Sequence, residues 1–260
     1  MNTPPTSKVD PIRTTYFKPL ERAERGFRYS FYAAGMLSLI VLLIDKSLYP
    51  QAYGALQVVF AACTLFSMAL GLLIRLYFTP RALSARLADF TSSAFSVSLT
   101  SERTAGYYNN WESAPIRKIG AQNLENAYFT KELLGLMCRG MRKVLTVLLL
   151  LWVVIIFYRG TPIDWVLAVT LVLFGEELLS RALRLECFRG RAETVYEATY
   201  RLFQAKPADL AAFGSQVVEQ LVAYECAKAS SGITIPESLF ERQNSRLSAE
   251  WERIRSTLTE

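Results

Sequence analysis

Residues 52–74 read AYGALQVVFAACTLFSMALGLLI, and their reading decides the fold class. The stretch contains no Asp, Glu, Lys or Arg, and it exceeds the roughly 20 apolar residues that a helix needs to cross the hydrocarbon of a bilayer. Three shorter apolar runs accompany it: Tyr29 to Ile44, Val144 to Tyr158 and Ile163 to Gly175. With 52% hydrophobic and 20% charged residues in 260, the chain is too apolar for an ordinary soluble domain. A membrane protein with water-exposed parts fits that composition.

Short connections pair the runs. Asp45 to Gln51 joins the first two and Arg159 to Pro162 the second two, so each pair forms an antiparallel hairpin that returns to the side it entered. Charge identifies the side. Lys8, Arg13, Lys18, Arg22, Arg25 and Arg28 precede the first run. Arg75, Arg81 and Arg86 open the central segment, Arg139, Arg142 and Lys143 close it, and the two turns hold only Lys46 and Arg159. This bias places both termini and the central segment in the cytoplasm. The first run lacks a small-residue cleavage site and is expected to stay as an anchor.

The resulting expectation is an all-α membrane protein with four transmembrane helices in two hairpins, N-in and C-in. The segments are a cytoplasmic N-terminal stretch (1–28), a first hairpin (29–78), a cytoplasmic insert (79–143), a second hairpin (144–181) and a cytoplasmic helical region (182–260). The net charge of +6 is explained by cations beside the spans, which argues against nucleic acid as a partner. Cys63, Cys138, Cys187 and Cys226 are far apart and lack metal-ligand spacing, so reduced thiols are expected.

In the C-terminal region, helical character continues from Leu178 to about Gln204, and Pro207 restarts it. Leu210, Phe213, Val217, Leu221 and Tyr224 then recur at three- and four-residue intervals as a face seeking a partner. Ser230-Ser231-Gly232 breaks that helix, and Pro236 opens another with an apolar stripe of Leu247, Trp251 and Ile254. In the central segment, Arg81 to Leu87 continues the second helix and Ala121 to Lys143 leads into the third. Between them, Thr91 to Ile119 is rich in Ser, Thr, Gly and Asn and reads as irregular, with Phe95, Val97 and Leu99 alternating as in a short strand. Three readings of this loop stand: a cover over the span ends, a partner contact, or a ligand site. In the last, Tyr107, Tyr108 or Trp111 would stack on the ligand while Arg103, Arg117 and Lys118 meet an anion.

The chain contains no histidine, which removes Ser-His-Asp and Cys-His arrangements, His-ligated zinc and histidine acid-base chemistry. Neither a GxSxG elbow nor an SxxK pair activates a serine. No enzyme activity, cofactor or metal is expected. Two adjacent carboxylates interrupt an apolar run in VLFGEELLSR, residues 172–181. Glu176 and Glu177 lie about 100° apart around a helix, which is wrong for opposed acid and base groups. Counted from Gly160, Lys143 and Glu177 fall at equal depth, with Arg142 and Glu176 beside them. An inter-helix ion pair of Arg142 or Lys143 with Glu176 or Glu177 follows, and Glu177 to Arg181 adds an i,i+4 spacing. The second hairpin is short, about 22 Å and about 20 Å of apolar helix against roughly 30 Å of hydrocarbon. Its glutamates therefore either mark the membrane exit or form a polar gating layer in an oligomer.

The layout resembles the bacterial four-transmembrane effectors associated with nucleotide-second-messenger (CBASS-type) anti-phage defence. The similarity lies in the basic N-terminal segment, two hairpins and the phrase FSVSLTSERTAGYYNN in the insert. The tail adds a Gly-x-x-Ile-Pro-x-x-Leu-Phe passage, Gly232 to Phe240. The resemblance implies an inner-membrane effector that perturbs the membrane and arrests or kills the infected cell when an upstream sensor or nucleotide second messenger signals. It carries no functional residue onto a numbered position. A pore would require a homo-oligomer, for which Ala61, Ala62, Ala69 and Gly71 allow close helix contact. Two alternatives are a small channel or transporter, for which the second run offers only Gln57, Thr64 and Ser67, and a membrane-anchored scaffold.

Overall fold

The computed structural model describes residues 10–102, 104, 112–158, 160, 162–174, 176–205 and 209–259, without the side chains of 168, 171–174, 176, 177 and 259. Among these residues the fold is all helical. In chain order the helices are α1 (Lys18–Leu43), α2 (Pro50–Leu73), α3 (Thr79–Phe95), α4 (Pro115–Phe157), α5 (Ile163–Phe174), α6 (Arg181–Ala205), α7 (Leu210–Ser231) and α8 (Glu237–Thr259). Three π-helical turns, Arg13–Phe17, Ile74–Phe78 and Glu176–Ser180, adjoin α1, α2 and α6. Arg13–Leu43, Pro50–Phe95 and Pro115–Phe157 are long and apolar enough to cross a membrane. The 12 residues of α5 are too few alone.

The chain divides into two compact units. One comprises Pro19–Phe78 and Arg139–Leu183 and is the apolar unit. Its first hairpin is fastened by small residues. Ser30 and Ser67 share a hydrogen bond between their hydroxyls, and Ser67 Oγ also donates to the Cys63 carbonyl at 2.8 Å. A Cβ on Gly71 would stand 3.3 Å from the Phe27 ring, and one on Gly26 would stand 3.4 Å from Leu70, so glycine permits this approach. Ala61, Ala62, Ala69, Gln57 and Thr64 are exposed within the chain, leaving Ser67 as the one buried residue of α2. In the second hairpin Trp152 Nε1 donates to Thr170 Oγ1 at 2.8 Å. The outward surface is aliphatic: Val58 is 70% exposed, Val147 65% and Val154 64%.

The other unit comprises residues 1–18, Thr79–Cys138 and Arg184–Glu260 and has a conventional core. Phe90 and Ala94 of α3, Leu124 and Tyr128 of α4, Phe203 of α6, Phe213 and Val217 of α7, and Leu247 and Trp251 of α8 pack together. The stripes expected on α7 and α8 are thus the buried faces, although Leu210 is exposed. Asp209 starts α7 by accepting from Ala211 N–H at 2.8 Å, and Gly232 ends it with a left-handed φ of 57°. That pairing of an acidic N-cap with a C-terminal glycine fixes both ends.

The central segment departs from its sequence reading. Helix α3 runs through Phe95 and α4 begins at Pro115, so the irregular stretch is shorter than residues 91–119. Thr91 and Ser92 lie within α3, and their hydroxyls donate back to the Leu87 and Ala88 carbonyls at 2.8 and 2.7 Å. No strand forms at Phe95, Val97 and Leu99 among the described residues. Instead the chain turns at Ser96, whose φ is 57°, and folds back on α3. There Ser92 Oγ accepts from Leu99 N–H at 3.1 Å, and Asp89 accepts from Thr104 N–H and Oγ1 at 3.1 and 2.7 Å.

Candidate functional site

The residues expected to form a charged layer lie on α4 (Arg142 and Lys143), on the π turn Glu176–Ser180 and at the start of α6 (Arg181). The Trp152 to Thr170 hydrogen bond joins α4 to α5. Arg142 and Lys143 are exposed and Arg181 is half-buried. Arg142 and Arg181 are both engaged in interactions. The side chains of Glu176 and Glu177 lie outside the described residues. Their backbone is π-helical, with i to i+5 bonding over Glu176–Ser180.

The loop candidates fare differently. Arg103, Tyr107, Tyr108 and Trp111 lie outside the described residues. Arg117 already has an anion: its Nε donates to Glu112 Oε2 at 2.8 Å and its Nη2 to Oε1 at 3.3 Å. The guanidinium also lies over the Phe203 and Phe213 rings at 5.6 and 5.2 Å from their centroids. Arg117 therefore ties α4 to α6 and α7 as a stacked, charge-paired strut. Lys118 is half-buried.

Sequence reasoning missed a polar network in the cored unit. Tyr128 OH donates to Glu250 Oε2 at 2.7 Å, and Arg246 Nη1 donates to Glu250 Oε1 at 3.0 Å. Burial, then the hydrogen bond and charge of Glu250, pushes the Tyr128 phenol well above its ordinary value. The Glu250 carboxyl is held below its usual range by the Tyr128 hydrogen bond and by Arg246, against a smaller opposing effect of burial. Lys131 Nζ sits 4.0 Å from the Tyr196 ring centroid, beside Tyr128. A phenol locked in its protonated form is a poor acid-base catalyst but a good hydrogen-bond donor, so this cluster clamps α4 to α8. Its only sequence signal is Tyr128 continuing the Leu124 face of α4, with Glu250 one residue before Trp251.

The N-terminal stretch is clamped in the same unit. Asp10 pairs with Arg86 at 2.7 Å and Arg13 with Glu237 at 3.0 Å, joining residues 10–13 to α3 and α8. Among the described residues no cluster of three metal-ligating side chains occurs. No protein-family model, curated protein or solved structure matches the chain.

Proposed function

We propose that this chain is a multi-pass effector of the bacterial inner membrane, acting in anti-phage defence by perturbing the membrane when triggered. Four helical crossings form two hairpins, with both termini and the cored unit in the cytoplasm. The carrying observation is the division into a unit of aliphatic surface and a second unit with its own aromatic core and polar clamps. Such a division suits a protein that senses in water and acts in lipid. In the fourth crossing the chain runs on from α5, and the count from Gly160 sets Glu177 level with Lys143. The layer of Arg142, Lys143, Glu176, Glu177 and Arg181 then stands at the cytoplasmic boundary, where charge is least costly and can gate.

Action as a pore requires several copies, because four helices enclose little space. Support for a homo-oligomer comes from Ala55, Ala62 and Ala69, exposed at seven-residue intervals on α2. The trigger is an upstream sensor protein or a nucleotide second messenger. Single-cell membrane potential after induced expression, with and without phage, tests the reading. Depolarisation by the intact chain and its loss in Glu177→Gln is the expected result. Depolarisation by both proteins would reduce the glutamates to membrane-exit markers, and a stable potential in every condition would overturn the effector reading.

A further inference from the structure

Helix α1 presents one continuous exposed stripe: Arg22, Arg25, Tyr29, Tyr32, Met36, Ile40 and Leu43. Successive members are three or four residues apart, so they share one face. It lies opposite the face of Phe27, Ser30 and Ala34, two of which contact α2. Along it the chemistry is graded from guanidinium to phenol to thioether and aliphatic. Tyr29 is 73% exposed, Met36 61% and Leu43 71%. The acids of this turn, Glu21 and Glu24, are half-buried and have interactions of their own.

We infer that this stripe is a docking site for one anionic phospholipid of the cytoplasmic leaflet, an inference that rests on α1 crossing the membrane. Arg22 and Arg25 would hold the headgroup phosphate, for which the planar guanidinium fork is the fitted donor. Tyr29 and Tyr32 match the interfacial level, where amphipathic rings collect. From Tyr32 to Leu43 is eleven residues, about 16 Å, close to half of a roughly 30 Å hydrocarbon layer and so to one acyl chain. A second copy of the chain fits the same face less well. Parallel packing along it would bring Arg22 and Arg25 against their own equivalents.

The test uses the full chain. Membranes containing it are washed at alkaline pH, and the protein is then purified in non-ionic detergent and titrated with fluorescent phosphatidylglycerol. Retention after the wash, saturable binding and about thirtyfold weaker binding by Arg22→Gln/Arg25→Gln are expected, at about one fivefold step per basic residue. Arg22→Lys/Arg25→Lys should recover most of the affinity. Release by the wash would overturn both the spanning reading and the site. Retention with equal binding of phosphatidylcholine, or full competition by inorganic phosphate, would overturn the lipid site alone. A dimer that the double Gln variant strengthens would assign the stripe to a second copy instead.

Discussion

Trp251 in the cored unit is 4% exposed and stacks on Tyr128 with ring centroids 5.8 Å apart, whereas Val154 in the apolar unit is 64% exposed. The same hydrophobic effect cannot hold both units together in water. The cored unit removes aromatic surface from solvent and satisfies its polar groups with side-chain clamps. In the apolar unit the helices meet through glycine contacts and a few hydroxyl or indole hydrogen bonds, which is how helices associate when lipid covers their outer faces.

The contrast breaks most visibly at the core. Trp251→Ala is expected to cost about 3–5 kcal/mol, whereas Leu65→Ala on the apolar surface changes stability by no more than about 0.5 kcal/mol. Hydrogen exchange of the detergent-solubilised chain, read peptide by peptide, should show α7 and α8 losing protection only in the first variant. Equal loss in both would dissolve the distinction between the units.

A second break uses pH. The lowered Glu250 carboxyl contributes stability at neutral pH that is lost as pH falls from its ordinary 4.5 through the folded value. The raised Tyr128 phenol contributes below its ordinary 10.0, a contribution lost as pH rises toward the folded value. Tyr128→Phe should flatten both limbs of the stability profile, and Glu250→Gln should flatten the acidic limb while reducing the alkaline one. Unchanged profiles would show that the clamp contributes nothing.

Asp209→Ala should cost about 1 kcal/mol through the start of α7, seen as fraying of its first turn by exchange. Ser67→Ala, which removes the hydroxyl joining the two helices of the first hairpin, should cost about 0.6 kcal/mol. A Ser67 effect as large as that of Trp251 would mean that the apolar unit depends on polar bonding far more than its surface implies.

How far this was legible in the sequence depends on the range of the forces involved. The ends and faces of α7 and α8 follow from local signals: Asp209, Gly232, and apolar residues at helical spacing. The extent of α3 was obscured because Thr91 and Ser92 are read as loop formers until their hydroxyls are seen bonding back into the helix. Arg117 was legible as a cation but not as a strut, since Phe203 and Phe213 lie more than eighty residues away in the chain. The Tyr128 to Glu250 clamp is equally non-local. The charged layer rests on the count from Gly160 alone, because the side chains of Glu176 and Glu177 lie outside the described residues.

The most direct test of the two-unit account is protease digestion of inside-out inner-membrane vesicles, with the surviving peptides identified by mass. The account predicts that peptides within 29–78 and 144–181 survive, whereas 79–143 and 182–260 are digested from the exposed cytoplasmic face. Protection of α7 and α8 alongside the apolar helices, or digestion of residues 52–74, would contradict it.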